Sequence, residues 1–429
     1  MLAHDIRTDV DRAWDTIWST GVTNPIVVSD LIGTLLMVGA SPGRWEQLRR
    51  NAADNSAELI ARELAEVRRS FGVDPGSEIE AAEFWLANHA LAEAMDLIGP
   101  VIEAYGDILG DIYEHILSKL SLAGHFGQFR TPRHIVEFMV EALDPIDGEI
   151  VADPACGSGG FLVAASDYRK SQGRTGPEFG IEIDRTISRI ALANVVFHGM
   201  TSGTILHGDG LTTKMPSAPD VVLANPPFAG AVGADVSRRF ASGSNKTELL
   251  FVEAISEALA NNGRAAVVVP SGVITGGSGS ARYVRKRLLE ENTLEAVVEL
   301  PSGVFRPYTD VKTAVLIWRN VKPRAGATVK MIRLTADGFS LDARRTQVAQ
   351  SDLPEALRAL RGAPSELAVE VDPAEIAENG YNLNPSRYLL VRDDVPDNDL
   401  PTVSEALGFL KESVGEISSK LARIEELIS

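Results

Sequence analysis

The sequence predicts an α/β protein: a doubly wound mixed sheet preceded by a helical region and followed by a helical tail. Three observations carry this. From Ile150 onward short β-branched runs alternate with helical stretches, a glycine-rich turn follows the first of those runs, and residues before about Gly124 keep a helical apolar period. The chain has 429 residues, which at roughly 100–200 per domain suggests about two to four domains. Its 45% hydrophobic, 23% charged and 6% aromatic residues exclude a wholly disordered or fibrous chain.

Taken in order, Ile6 to Gly124 is read as a helical N-terminal domain (1–124), broken by turn signals at Thr23-Asn24-Pro25 and Ser41-Pro42-Gly43. The core (125–335) starts its strands at Ile150-Val151-Ala152, Phe179 to Glu182, Thr204 to Leu206, Val221 to Leu223 and Ala265 to Val269, an alternation that indicates parallel strands with crossover helices. Leu294 to Leu300, Thr313 to Trp318 and Thr328 to Arg333 add strands at the far side, so the core is expected to end near residue 335. A mixed, acidic, Pro-interrupted extension (336–400) gives no clear assignment. In the tail (401–429), Val403, Leu407, Leu410, Val414, Ile417, Leu421, Ile424 and Ile428 repeat at spacings of four and three, a coiled-coil seam. With Gly408 and Gly415 inside it, that seam needs a partner helix or the body of the protein.

No apolar stretch approaches the roughly 20 residues of a bilayer span. The best candidate, Leu31 to Ala40, is short and contains two glycines. The N-terminus lacks the basic-then-apolar order of a secretory signal, and the only cysteine, Cys156, can form neither an intrachain disulfide nor a cysteine-based zinc site; both point to the cytoplasm. His125, His134, His198 and His207 show no ligand spacing, so no metal is expected. A net charge of −18 disfavours clamping a polyanion unaided. The densest basic run, Arg282, Arg285, Lys286 and Arg287 beside Tyr283, reads either as a phosphate-contacting patch or as a solvated helix face.

The first chemical signal is Asp153-Pro154-Ala155-Cys156-Gly157-Ser158-Gly159-Gly160, placed between a strand and a helix. Glycines there let a ligand approach the backbone, and Glu182 at the end of the next strand can accept both hydroxyls of a ribose. No Gly-Lys-Ser or Gly-Lys-Thr follows, so this is not a P-loop. Asp153 would repel a pyrophosphate but suits a cation such as the sulfonium and ammonium of S-adenosylmethionine. Asp209, at the next strand end, either accepts from the cofactor's adenine amino group or makes a plain turn.

The sharpest signal is Asn225-Pro226-Pro227-Phe228 after the strand Val221 to Leu223. Consecutive prolines restrict the preceding residues to extended geometry and so hold Asn225 rigidly. The Asn225 amide oxygen and the Pro226 carbonyl can each accept from one exocyclic amino group, disfavouring conjugation of the nitrogen lone pair into a base ring. Phe228 offers a face for an extruded base.

With these motifs the chain resembles the gamma-type amino-methyltransferases, and most of all the modification subunit of type I restriction-modification systems. Further residues carry the likeness: Gly127 to Ile135, Ser244 to Leu249, Gly263 to Pro270, Leu300 to Phe305, Ala13 to Pro25 and Gly380 to Tyr388. The resemblance implies a Rossmann-like S-adenosylmethionine-dependent core, with Gln128, Phe129, Arg130, Thr131, Pro132 and Arg133 lying over the cofactor; the family commonly has an aromatic where Arg130 stands. Asp153 with Ser158, Gly159 and Gly160 would hold the methionyl end, Glu182 the ribose and Asp209 the adenine. Without the resemblance, Thr131 reads as an N-cap and Pro132 as a first helical residue. Lys246 reads equally as a phosphate contact and a helix-surface lysine.

The expected function is therefore transfer of a methyl group from S-adenosylmethionine to N6 of a flipped adenine in double-stranded DNA. No obvious recognition domain follows residue 335, so a separate DNA specificity subunit is expected; the family also admits a second copy and a restriction subunit. Methylation of RNA, protein glutamine or cytosine N4 is the alternative within enzymes, and a non-catalytic scaffold is the alternative outside them.

Overall fold

A computed structural model describes residues 4–19, 24–41, 43–53, 57–70, 88–105, 108–122, 131–200 and 205–389. The heptad tail and Gln128, Phe129 and Arg130 lie outside the described residues. Met1–Pro385 form one compact unit and Ser386–Ser429 a second, of which residues 386–389 are described, as helix.

Among the described residues the N-terminal region holds six helices: α1 (His4–Ser19), α2 (Pro25–Gly39), α3 (Arg44–Ala53), α4 (Ala57–Ser70), α5 (Asn88–Tyr105) and α6 (Leu109–Leu122). Of the turn signal Thr23-Asn24-Pro25, the described Asn24 and Pro25 turn out to be the start of α2. Asn24 accepts from the Ile26 amide at 3.0 Å, and Pro25 takes the first turn, where no amide hydrogen is needed. α2 is buried almost all round because it is the axis of this bundle. A further helix, α7 (Arg133–Leu143), leads into the sheet.

Nine strands form one sheet in the order β11-β8-β6-β7-β5-β4-β1-β2-β3. These are β1 (Val151–Asp153), β2 (Glu178–Glu182), β3 (Ile205–His207), β4 (Val221–Ala224), β5 (Arg264–Pro270), β6 (Thr293–Glu299), β7 (Thr313–Arg319), β8 (Val329–Arg333) and β11 (Ala368–Val371). β1 to β5 are mutually parallel, β7 runs antiparallel between β5 and β6, and β6 pairs parallel with β8. Two short strands, β9 (Asp337–Phe339) and β10 (Gln347–Ser351), form a separate antiparallel pair.

Alternation along the strands divides two cores. Val221 and Leu223 of β4, Ala266 and Val268 of β5, and Val315 and Ile317 of β7 pack with Ile135, Phe138 and Met139 of α7. Helix α8 (Gly160–Ser171) shares that core through Phe161 and Ala165. Cys156, Leu162 and helix α9 (Arg185–Phe197) instead join the core of the N-terminal bundle. That junction also carries charge. Asp30 of α2 accepts from Arg68 of α4 at 2.8 Å and from Arg189 of α9 at 3.0 Å, all three side chains being buried.

Two expectations need correction. The sheet does not end near residue 335, because β11, only four residues long, pairs antiparallel with β8 and adds an edge strand. The N-cap of α7 is Pro132, not Thr131: the Pro132 carbonyl accepts from the amides of Ile135 at 2.9 Å and Val136 at 3.0 Å, and no side chain caps the helix. The helix therefore begins one residue later, at Arg133.

Candidate active site

From β1 the chain winds outward through β2 and β3, whereas β4 lies on the other flank of β1. Between β1 and β4 the winding direction reverses, and the loops leaving their carboxyl ends diverge to open a crevice. Asp153, Glu182 and Ala224 are the last residues of β1, β2 and β4, so the predicted site residues that follow share one edge of the sheet.

The loop after β1 is rigidly built. Cys156 donates its amide to the Ile181 carbonyl at 3.0 Å, and the Asn194 side chain donates to the Ser158 carbonyl at 2.9 Å. Gly157 and Gly159 adopt φ of 52° and 82°, a left-handed conformation that side chains resist. A Cβ on Gly157 or Gly160 would meet nothing within 4 Å, so space stands open above the loop. Glu182 is buried, and its two oxygens accept from the Gly157 amide at 3.0 Å and the Asp184 amide at 2.8 Å. This locks the second carboxylate to the glycine loop.

Asp153 is 1% exposed, and one of its oxygens accepts from the Ala155 amide at 3.0 Å. Burial, with the Glu182 charge adding to it, pushes its pKa up to about 8 against the single lowering hydrogen bond. Burial also raises Glu182. Two carboxyls kept from water beside an open glycine cradle fit a ligand that brings hydroxyls and positive charge. S-adenosylmethionine has both.

After β4, Pro226 is buried, Pro227 is exposed, and Asn225 and Phe228 are partly buried. Phe228 meets the buried Phe305 edge-on, with ring centroids 6.2 Å apart at 83°. Thr247, the first residue of helix α10 (Thr247–Ala258), donates its hydroxyl to the Pro227 carbonyl at 3.0 Å and its amide to the Gly230 carbonyl at 3.1 Å. The contacts from Thr247 and Phe305 escape sequence reasoning. Both residues stand in segments that carried the family likeness, but nothing in their local pattern tells which atom they touch.

Asp153, Ser158, Gly159, Gly160, Glu182 and Asn225 to Phe228 thus come from neighbouring strand ends. One Asp209 oxygen accepts from the Leu211 amide at 2.9 Å, so this residue does build the turn that the bland reading foresaw. Thr131 is buried beside Pro132, whereas Arg133 is exposed and donates to Glu137 at 2.8 Å. The basic run lies on helix α11 (Gly279–Glu290) and is largely engaged. Arg285 is buried and donates to the carbonyls of Val273 and Tyr381, and Arg287 pairs with Glu253, Glu257 and Glu291. His198 and His207 donate to the carbonyls of Asn194 and Ile183, and His134 lies 2.9 Å from Asp337. Among the described residues no group of three or more His, Cys, Asp or Glu is placed to hold a metal ion.

The chain is 37% identical over 231 residues to the type I restriction enzyme EcoEI methylase subunit of Escherichia coli, a stretch covering 50% of this chain and 47% of that protein. Against the EcoKI methylase subunit of E. coli K12 it is 32% identical over 257 residues, 53% of this chain and 48% of that one. The chain spans about half the length of these curated relatives. A solved chain from work on assembly and conformational transition of the type I R-M system superposes with a TM-score of 0.73 at 27% identity, covering 99% of this chain and 98% of that one. The type I methyltransferase subunit of Streptococcus thermophilus gives 0.68 at 22% identity over 89% and 98% of the two chains, a likeness of fold. The family model described as N-6 DNA Methylase matches residues 104–395, well over half of the sequence, and the chain belongs to that family.

Proposed function

We propose that the chain transfers a methyl group from S-adenosylmethionine to N6 of an adenine flipped out of double-stranded DNA, as the methylating subunit of a type I restriction-modification system or a related defence system. The observation that carries this reading is the adjacency of two loops. The proline-stiffened Asn225-Pro226-Pro227-Phe228 leaves β4 directly beside the glycine loop of β1.

S-adenosylmethionine, when bound, supplies a methyl carbon on a positively charged sulfur. The residues of the chain do the rest. Asn225 Oδ1 and the Pro226 carbonyl accept the two amino hydrogens of the base, which turns the nitrogen lone pair out of the ring and towards that carbon. With the methyl donor bound, the nitrogen–carbon bond would form as the donor's sulfur–carbon bond breaks, and one amino proton would leave to solvent. Phe228 stacks the base, backed by Phe305. Asp153 with Ser158, Gly159 and Gly160 would hold the methionyl end and Glu182 the ribose, and the segment from Gln128 to Arg133 would lie over them, as the family resemblance implies. A separate specificity subunit reads the sequence, in keeping with the −18 charge of this chain.

Asn225→Ala tests the reading. Methylation of plasmid DNA should fall by at least about 100-fold, while labelled S-adenosylmethionine still binds within about twofold of wild type. Retained turnover would refute the role of Asn225. Wild-type transfer to RNA or protein in place of plasmid DNA would refute the substrate.

A further inference from the structure

Charge around the crevice is uneven. Asp153, Glu182 and Asp209 stand at or just after the ends of β1, β2 and β3. The excursion 229–246 that leaves Phe228 places Val232, Val236 and Phe240 in one apolar cluster with Leu211, and it carries Arg238, Arg239 and Lys246 against one acid, Asp235. This local excess runs against a chain of net charge −18.

The three cations are also unlike the basic run on α11. There, Arg285 is buried among carbonyls and Arg287 meets three carboxylates. Arg238, Arg239 and Lys246 are exposed, and no carboxylate among the described residues lies within ion-pair distance of them. A cation that gives up no ion pair is free to meet a phosphate.

The excursion that presents them is anchored at both ends. Lys246 bridges antiparallel to Ala231, and the Val232 amide donates to the Asn245 carbonyl at 2.9 Å. The buried Glu253 accepts from the amides of Ala241 at 2.8 Å and Ser242 at 3.2 Å. Lys246 directly precedes Thr247, whose hydroxyl holds the Pro227 carbonyl. The charges are therefore tied mechanically to the loop that would receive the base.

We infer that Arg238, Arg239 and Lys246 grip the DNA phosphates flanking the extruded nucleotide. This rests on the function proposed above and assigns the side chains that hold the strand while the base is out of the stack. The contacts are sequence-independent, and each neutralised phosphate releases condensed counterions, so the grip is read from salt dependence.

The experiment uses the full chain and a short fluorescent duplex, with anisotropy followed from about 20 to about 150 mM KCl. The R238A/R239A/K246A variant should bind at least about tenfold more weakly at the lowest salt, and its slope of log affinity against log salt should be shallower by about 2.7, at roughly 0.9 per phosphate. The R238K/R239K variant should keep the wild-type slope, and all variants should keep the wild-type melting temperature and affinity for S-adenosylmethionine. An unchanged slope in the triple variant, or a wild-type chain that does not bind duplex even at the lowest salt, overturns the inference. If wild type methylates plasmid DNA while the slope stays put, only this assignment falls. If wild type methylates RNA or protein instead, the proposed function itself falls.

Discussion

Asp153 is held where its charge is unwelcome. Its folded pKa of about 8 stands far above the ordinary 3.8, so across that interval the native state keeps a proton that the unfolded chain has lost. The stability this carboxyl contributes is therefore full below about 3.8, falls as pH rises, and has gone above about 8. Asparagine keeps an acceptor for the Ala155 amide and never ionises. Asp153→Asn should thus be more stable than wild type at pH 8.5 without S-adenosylmethionine, by about 1 kcal/mol or more, and so melt higher, yet bind S-adenosylmethionine at least about tenfold more weakly. Differential scanning calorimetry and equilibrium dialysis would measure the two, and a lower melting point for the variant would sink the argument. In wild type, S-adenosylmethionine affinity should rise by about tenfold from pH 6.5 to 8.5, as the carboxyl ionises.

The loop after β4 depends on what supports it from elsewhere in the chain. Removing the Thr247 hydroxyl takes away the hydrogen bond to the Pro227 carbonyl while α10 keeps its place. Thr247→Ala should lower stability by only about 1 kcal/mol but cut the methylation rate by about tenfold or more, through misplacement of Asn225. A turnover loss no larger than the stability loss accounts for would count against the buttress. The difference between this support and the loop itself explains what was legible in the sequence. β-Branched runs announced β1, β2, β4, β5 and β7 to within a residue or two, because strands buried on both faces read as continuous apolar stretches. Asn225 to Phe228 were legible because consecutive prolines restrict the backbone locally. β11 was not, since Ala368-Val369-Glu370-Val371 is short and carries an acid, and its pairing comes wholly from β8. The contacts of Thr247 and Phe305, and the engagement of Arg285, likewise depend on partners dozens of residues away.

At the scale of the whole molecule, acidic excess and local basic charge divide the labour. On the proposed function, a chain of net charge −18 with a few exposed cations beside the loop after β4 would hold a strand but has little with which to read one. The isolated chain should therefore distinguish its methylation site from a scrambled duplex by less than about tenfold, where sequence-reading proteins reach at least about 1,000-fold. Competition binding would measure this, and tight, selective binding by the chain alone would contradict a separate specificity subunit. The clasp of Asp30 between Arg68 and Arg189 bears on another property of the whole. Truncating Asp30 to alanine removes the carboxylate that two buried guanidinium groups share and should cost about 3–5 kcal/mol. Since α2, α4 and α9 meet at that one carboxylate within a shared apolar core, the upstream bundle cannot peel away without exposing the flank that carries Glu182. Denaturation of the region up to Pro385 should then be all-or-none, and calorimetry checks this by a single endotherm with equal calorimetric and van't Hoff enthalpies.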